Sequence, residues 1–428
     1  NYLPSLSLSS DPNLNRAINK ITMGDGSVKF VEQNLLNTDL TLNLSQNIPW
    51  TGGSLFLETS AQRMDLFSEH KYSWQTSPIM IGYRQSLFGY NSLKWDKRIE
   101  PVRYQEAKKN YVETLELVSA NAINKFFALA TAQSNYDIAS FNYANADTLY
   151  RYAQGRYNIG TITENEMLQL ELNRLTEETN RMNARIEMDN CMQELRSYLG
   201  IQEEREIRVR VSSRIPNFSI NLNEALALAY ENSPDIQTMK RRKLESESAV
   251  ARARANAGLK ADIYLRFGLT QTADKLPEAY RNLLDQQYVS LSISLPILDW
   301  GRGKGQVRVA RSNRDLVYTQ VEQSRTDFEL NVRKLVKQFN LQTQRVRIAA
   351  RTDETAQRRN EVARKLYILG KSTILDLNAS ISEKDSARRN YVSALYNYWS
   401  LYYTLRSMTL YDFERNTMLT EDYHLLIE

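Results

Sequence analysis

The chain has 428 residues and nearly balanced charge, with 55 lysine and arginine residues against 50 aspartate and glutamate residues. The positive charges are scattered rather than clustered, which argues against a nucleic acid partner. The single cysteine, Cys191, excludes an intramolecular disulfide, and the two histidines, His70 and His424, are too far apart in sequence to indicate a zinc or catalytic site.

The first part of the chain alternates apolar and small polar side chains, which is typical of β-strands with one apolar face. The alternating segments are residues 1–10, 39–45, 54–59 and 78–83, and the composition of Pro49–Gly53 predicts a chain reversal between two of them. Mean hydropathy is −0.53 and no run of about 18 apolar residues is present, so no transmembrane helix is predicted. The strands of a membrane β-barrel are short and alternating, and they escape that criterion.

From about Leu93 the apolar spacing changes to three and four residues, which predicts an amphipathic helix. The proline-free stretch between Pro101 and Gly160 corresponds to roughly 55 helical residues, or about 80 Å. It ends at a turn containing Gly160. Thr163 and Glu166 then have the spacing of a capping box at the start of a returning helix. That helix is predicted to stop at Gly200.

The next segments repeat this plan. Residues 201–221 join the halves, and Glu206–Val211 alternates like a short strand. A helix follows over 222–258, broken at Pro234. Two alternating segments, residues 262–270 and 289–295, precede a second long helix, a turn at Gly370 and a returning helix over 373–412.

Three anchors place the two halves 210 residues apart. They are Phe88 with Leu298, Gly160 with Gly370, and Leu195-Arg196-Ser197 with Leu405-Arg406-Ser407. Two copies in register predict two equivalent structural units that pack as one body.

Motifs for chemistry are scarce. Gly301–Gly305 follows a strand and opens a helix, but its spacing is not that of a phosphate-binding loop, and a flexible turn explains it better. The chain is therefore predicted not to be an enzyme and to hold no cofactor or metal. The carboxylates of Glu164, Glu166 and Asp376 lie beside the two glycine turns. They would either form acidic rings at a pore mouth or serve as N-terminal helix charges favoured by the helix dipole.

Three motifs together resemble the TolC-like outer-membrane efflux protein family, the outer membrane factors. Leu295–Arg302, with Pro296, Asp299 and Gly301, is similar to the family's strand-to-helix junction. Leu222–Pro234 is similar to its repeat-opening helix, and Gly370–Asp376 to its helical tip turn. The resemblance covers nearly the whole chain.

The resemblance implies a mixed α and β membrane protein, a homotrimer whose transmembrane β-barrel is continued by a long periplasmic α-helical barrel of coiled-coil character. It implies a passive exit duct of a tripartite efflux or type I secretion system, for small molecules such as drugs, detergents and toxic compounds, or for exported polypeptide. The duct would lie in outer-membrane lipid of a Gram-negative cell and extend into the periplasm. A periplasmic adaptor and an inner-membrane pump of the resistance-nodulation-division, ABC or major facilitator type would open it.

The resemblance also implies roles for residues at the tip turns, where Gly160, Thr163, Gly370 and Thr373 lie. Asp376 falls on a pore-lining aspartate position of the family, and Glu166 on the corresponding position of the first repeat. A second aspartate is common three residues on, where this chain has Ala379.

Seven segments follow from the repeat and the resemblance. They are first-repeat barrel strands at 1–92, a first-repeat helical hairpin at 93–200, an equatorial linker at 201–221, a second-repeat opening helix at 222–258, second-repeat barrel strands at 259–303, a second-repeat helical hairpin at 304–412 and a C-terminal tail at 413–428.

Two questions stay open at the level of sequence. The whole chain has six strand candidates, four in the first half and two in the second, whereas the family norm is four strands per protomer. The difference predicts either a larger barrel or a hairpin that projects outside it. The competing hypothesis for the whole chain is a soluble periplasmic coiled-coil adaptor or structural protein.

Overall fold

A computed structural model of the protein describes residues 2–24, 26–67, 69–203, 205–212, 215–369 and 371–419. The chain divides into two compact units. One comprises residues 1–104 and 238–323, and the other residues 105–237 and 324–428. None of the helices in the described part of the chain combines the length and apolar character needed to cross a bilayer.

The first unit contains one antiparallel sheet. Its strands are β1 (Ser5–Ser9), β2 (Asn13–Thr22), β3 (Val28–Ile48), β4 (Gly53–Leu66), β5 (Lys71–Ser86), β6 (Lys260–Ala273) and β7 (Leu284–Ser294). Strands β1 and β2 both pair with β3, at different ends, so the sheet is six strands wide in the order β1/β2, β3, β4, β5, β6, β7. Each of the six alternating segments in the first unit overlaps one of these strands, whereas β2 was not anticipated from the sequence.

The strand register sorts the side chains onto two faces. One row across the sheet places Leu6 opposite Leu44, Leu44 opposite Leu57, and Leu57 opposite Ile81, which lies opposite Phe267. These five side chains are 40–68% exposed. The alternation within each strand therefore continues across the sheet along this row. We call the face that carries the row the apolar face, and the opposite face, which carries Ser45, Glu58 and Arg266, the polar face.

On the polar face, side chains of β4 reach over β5 to contact β6. The Phe56 ring stacks on Tyr264 with centroids 6.0 Å apart, and Glu58 accepts a hydrogen bond from Arg266 at 3.2 Å. Residue 82 between the two rings is glycine, and a Cβ built there would lie 2.0 Å from Phe56 Cζ. Since β4 and β6 are two strand spacings apart, these side chains bridge β5 by passing over Gly82, which has no side chain to obstruct them.

Replacing Gly82 with alanine is expected to destabilise the folded protein by about 1–3 kcal/mol, because the added methyl group overlaps the Phe56 ring. The measurement is the urea midpoint of the purified protein. The matched control is the double variant Gly82→Ala/Phe56→Ala, in which the ring is gone and the methyl group has room. A double variant whose loss equals the sum of the two single losses would contradict the proposed contact.

The helices confirm the repeat. They are α1 (Ser92–Asn158), α2 (Glu164–Tyr198), α3 (Leu222–Asn232), α4 (Pro234–Ala257), α5 (Arg302–Ile368) and α6 (Ile374–Thr409). Helices α1 and α5 each have 67 residues, and their starts lie 210 positions apart, as do the starts of α2 and α6. At 1.5 Å per residue, α1 is about 100 Å long. It exceeds the predicted 55 residues because it begins at Ser92, before Pro101.

One predicted strand is wrong. Residues 206–211 form no strand, because no neighbouring strand offers its backbone to pair with them. The Gln133 side chain of α1 bonds this segment instead, donating to the Ile207 carbonyl and accepting from the Val209 N–H, both at 3.2 Å. Ile207 and Val209 pack on a cluster containing Leu129 and Leu195. The alternation therefore reflects one-sided packing on helices.

After α6 the chain forms a two-stranded hairpin, β8 (Tyr411–Asp412) and β9 (Thr417–Met418). It belongs to the second unit. The predicted tail beyond Leu419, which includes His424, lies outside the described residues.

Candidate gate at the helix turns

The first helix turn joins α1 to α2 and is closed by local hydrogen bonds. Gly160 has φ +74°, a left-handed conformation that favours glycine. Its N–H donates to the Tyr157 carbonyl at 2.9 Å, and the N–H of Thr161 donates to the Arg156 carbonyl, also at 2.9 Å. These bonds satisfy carbonyls at the end of α1 that have no partner within the helix.

Thr163 begins α2 with the capping box that the sequence predicts. The Glu166 N–H donates to Thr163 Oγ1 at 3.2 Å, and the Thr163 N–H donates to Glu166 Oε2 at 3.0 Å. Glu164 lies in the same first helical turn, and both glutamates are exposed. The two acids are therefore placed where the positive end of the helix dipole favours them.

The second helix turn, between α5 and α6, repeats this arrangement. The Asp376 N–H donates to Thr373 Oγ1 at 3.1 Å, and the Thr373 N–H donates to Asp376 Oδ2 at 3.3 Å. The hydroxyls of Thr373 and Ser372 also donate to Asp376 Oδ2, at 2.7 and 3.3 Å. These bonds, with the nearby Arg359 guanidinium, hold the pKa of Asp376 below its ordinary value. Gly370 lies outside the described residues.

Glu166 and Asp376 occupy equivalent positions, and each carboxylate caps its own helix while remaining exposed to solvent. The capping role and the acidic-ring hypothesis are compatible, since a carboxylate can accept a hydrogen bond from the backbone at its own helix N-terminus and still be exposed to solvent. The pairing also makes each turn locally rigid, because both backbone ends are bonded.

Sequence reasoning missed a contact region between the two hairpins. Tyr367 of α5 is half-buried, and burial raises the pKa of its hydroxyl. The nearby positive charge of Arg156 lowers this pKa, and the negative charge of Glu166 raises it. A cavity of about 240 Å³ lies beside it, lined from α1, α5 and α6 by residues that include Tyr152, Leu377 and Ile381. One indication of this contact region was present in the sequence, because Tyr367 and Tyr157 are 210 positions apart and so occupy equivalent places in the two repeats.

Further along the bundle, α1 of the first repeat contacts α6 of the second. Asn142 Nδ2 donates to Asp385 Oδ2 at 2.7 Å, and Tyr396 donates to Asn124 Oδ1 at 3.1 Å. The Lys384 ammonium lies 4.4 Å from the centroid of the Phe141 ring. The ring of Phe127 on α1 also lies 5.7 Å from that of Tyr396 on α6, so the two repeats are joined by polar and aromatic contacts together.

The predicted junction residues Pro296, Asp299 and Gly301 belong to the sheet-containing unit, and they start a helix. Strand β7 stops at Ser294, before Pro296, which has no N–H for a ladder bond. Asp299 then accepts from the N–H of Gly301 at 2.9 Å and from that of Gly303 at 2.7 Å, which lowers its pKa. Gly301 itself has φ +80°.

Replacing Asp299 with alanine is expected to raise the hydrogen-exchange rate of the Gly303 amide about ten-fold, because the start of α5 loses its cap. Asp299→Asn keeps one acceptor oxygen and should fall between the alanine variant and the parent. Because the folded pKa is lowered, the protection is present above the ordinary aspartate pKa and is lost as pH falls through the folded pKa. Exchange unchanged in both variants would contradict the capping role.

In the part of the chain that the structure describes, no cluster of histidine, cysteine, aspartate or glutamate side chains could hold a metal ion.

Comparison with known proteins defines the class. Residues 225–409 match the family model of the outer membrane efflux proteins. Over residues 225–409 the chain is therefore similar to the outer membrane efflux protein family, and the chain as a whole has the mixed α and β fold, built from two repeats, of solved TolC-like channels.

Solved relatives share this fold at low sequence identity. The CmeC outer membrane channel of Campylobacter jejuni matches 100% of this chain and 80% of its own, with TM-score 0.67 and 16% identity. The outer membrane protein VceC of Vibrio cholerae matches 95% of this chain and 87% of its own, with TM-score 0.64 and 14% identity. The open state of the Neisseria gonorrhoeae MtrE channel matches 83% of this chain and 80% of its own, with TM-score 0.62 and 14% identity. No curated protein sequence matches the chain.

Proposed function

We propose that the chain forms the outer-membrane exit duct of a tripartite efflux or type I secretion system. The observation that carries this proposal is the uncovered apolar face that crosses the sheet from Leu6 on β1 to Val289 and Leu291 on β7, with polar side chains opposite. An apolar face this extensive is stable when it faces hydrocarbon, and a polar face is suited to line a water-filled lumen.

The two edges of the sheet support assembly from several copies. In the described residues, β7 pairs only with β6, and β1 and β2 pair only with β3. Unpaired backbone groups are costly in lipid, so the edges require partners. Because β1 and β7 run in opposite directions, β7 of one copy can pair antiparallel with β1 or β2 of the next. Such a head-to-tail contact closes into a ring, and the family resemblance favours a homotrimer.

The helix turns support a gate that moves as rigid pieces. Each turn is closed by its own capping box, whereas the contacts between hairpins near Tyr367 enclose a small cavity. Separation of the hairpins therefore costs less than unravelling either turn. We infer that docking of a periplasmic adaptor and an inner-membrane pump separates them, with Glu166, Asp376 and Glu164 as the charges at the mouth. The chain itself carries no catalysis in this proposal, and the pump supplies the energy.

Purified protein is expected to require detergent, to migrate as a heat-sensitive oligomer and to form ion channels in planar lipid bilayers. The measurements are extraction of membranes with carbonate and then detergent, unheated gel electrophoresis, and single-channel recording. A protein that stays soluble without detergent and forms no channels would instead support the periplasmic adaptor or structural protein.

A further inference from the structure

The first repeat contributes more strands to the sheet than the second. In the second repeat, the entering strand β6 and the leaving strand β7 are direct neighbours. In the first repeat, the entering strand β1 and the leaving strand β5 are separated by β3 and β4, which have no counterpart in the second repeat. We call residues 28–66, which contain β3 and β4, the inserted hairpin.

The inserted hairpin is bonded into the sheet on both sides. Strands β3 and β4 pair from Leu35 opposite Leu66 to Ile48 opposite Gly53, while β3 also pairs with β1 and β2, and β4 with β5. Its turn is fixed as well, because Asn91 donates to the Pro49 carbonyl at 3.0 Å. A hairpin projecting from the sheet would have at least one strand edge free.

The side chains of the inserted hairpin follow the two faces of the sheet. Leu42, Leu44 and Leu57 lie on the apolar face, opposite Leu8, Leu6 and Ile81 in neighbouring strands, a pairing shown by the register. On the other face, Phe56 and Glu58 contact Tyr264 and Arg266 across β5. Both faces of the inserted hairpin are therefore continuous with the faces of the neighbouring strands.

We infer that the inserted hairpin is part of the barrel wall and widens it. This inference rests on the proposed channel. Three copies, each six strands wide, close a ring of 18 strands. Because barrel diameter grows roughly linearly with strand number, the lumen is about 1.5-fold wider than that of a 12-stranded ring. Barrels of this size hold an open aqueous channel, so the helical gate alone limits the size of the cargo.

The direct test is the strand count of the assembly in lipid nanodiscs by electron cryomicroscopy. The inference expects 18 strands with residues 28–66 in the wall. A conducting trimer with 12 strands and this segment outside the wall would overturn the inference but leave the proposed function intact, as would a conducting dimer of 12 strands. A non-conducting, soluble protein would overturn both.

Disulfide trapping tests the strand order in intact membranes. In a Cys191→Ser background, Ser5→Cys/Ser45→Cys joins β1 to β3, and Ser60→Cys/Ser77→Cys joins β4 to β5, since the residues of each pair are directly opposite. Both pairs should crosslink within one chain while the heat-sensitive oligomer persists. The matched control, Ser45→Cys/Ser77→Cys, lies on strands that are not neighbours and should not crosslink. Loss of the oligomer on crosslinking either opposed pair would overturn the inference.

Labelling of adjacent residues on β3 provides an independent readout. Asn43→Cys should react with a membrane-impermeant maleimide from the lumen, while Leu42→Cys on the apolar face should be protected by lipid. A ratio of labelling rates of at least about ten-fold is expected for side chains on opposite faces of a membrane strand. Equal labelling of both positions would place the inserted hairpin in water and overturn the inference.

Discussion

Channels in which Glu166 and Asp376 are both neutralised should show a cation-to-anion permeability ratio about five-fold lower than the parent, the factor expected for unit charges acting across a few ångströms of water. The reason is geometric. Both carboxylates are exposed at equivalent positions in the two helix turns, and the lowered pKa of Asp376 keeps that group ionised throughout the neutral range. The measurement is the reversal potential of reconstituted channels under a salt gradient.

Two double variants separate charge from helix capping. Glu166→Gln/Asp376→Asn keeps a side-chain oxygen that can accept from the Thr163 and Thr373 N–H groups, so only the charge is lost. Glu166→Ala/Asp376→Ala also removes both caps, which loosens the turns and should raise conductance further. Glu164→Gln completes the comparison, because this substitution removes the third charge of the proposed mouth and leaves both capping boxes intact. It should therefore lower the permeability ratio without raising conductance. Unchanged conductance and selectivity in both double variants would remove the two acids from the gate.

Replacing Arg406 with methionine should destabilise the protein by about 3–5 kcal/mol, because two buried carboxylates then lose their counter-charge. Arg406 contacts Glu116 at 2.9 Å and Asp412 at 3.3 Å, and the three side chains are at most 15% exposed. Tyr402 also donates to Asp412 at 2.5 Å. This network joins α1, α6 and the β8–β9 hairpin. The measurement is the urea midpoint of the detergent-solubilised protein.

The pH dependence distinguishes this cause from simple loss of packing. Burial raises the pKa of Glu116, and removal of Arg406 should raise it further, so the methionine variant should recover stability as pH falls from about 7 to about 5. In the parent, hydrogen bonds and Arg406 lower the pKa of Asp412, and its contribution is lost as pH falls through that lowered value. A methionine variant whose stability also falls on acidification would contradict the proposed network. Glu116→Gln in the methionine background should recover part of the loss at neutral pH.

The long-range repeat could be predicted because its signals are local. The Gly160 and Gly370 segments, 210 residues apart, carry turn and capping signals within a few neighbouring residues. The Thr163–Glu166 box was predicted because its two bonds join residues three positions apart. The fold class follows from the same reasoning, since period-two and helical spacing alternate along each half.

Contacts between distant residues could not be predicted in this way. Residues 206–211 alternate apolar and polar side chains as a strand does, but a strand also needs a neighbouring strand to pair with. Only the packing of the helices shows that the Gln133 side chain forms hydrogen bonds with the backbone of this segment instead. The neighbourhood of Tyr367 and Arg156 likewise exists only once the two hairpins pack together. The roles of Glu166 and Asp376 in a gate remain predictions.

The sequence by itself determined the long helices, the two helix turns and most of the strands, because those features depend on side-chain period and on bonds within a few residues. Only the tertiary structure showed that β2 is a strand and residues 206–211 are not, how many strands lie side by side, which side chains meet over Gly82 and which charged groups are buried around Arg406. Those features depend on contacts between residues far apart in the chain, and a local sequence pattern does not indicate the free energy of such contacts.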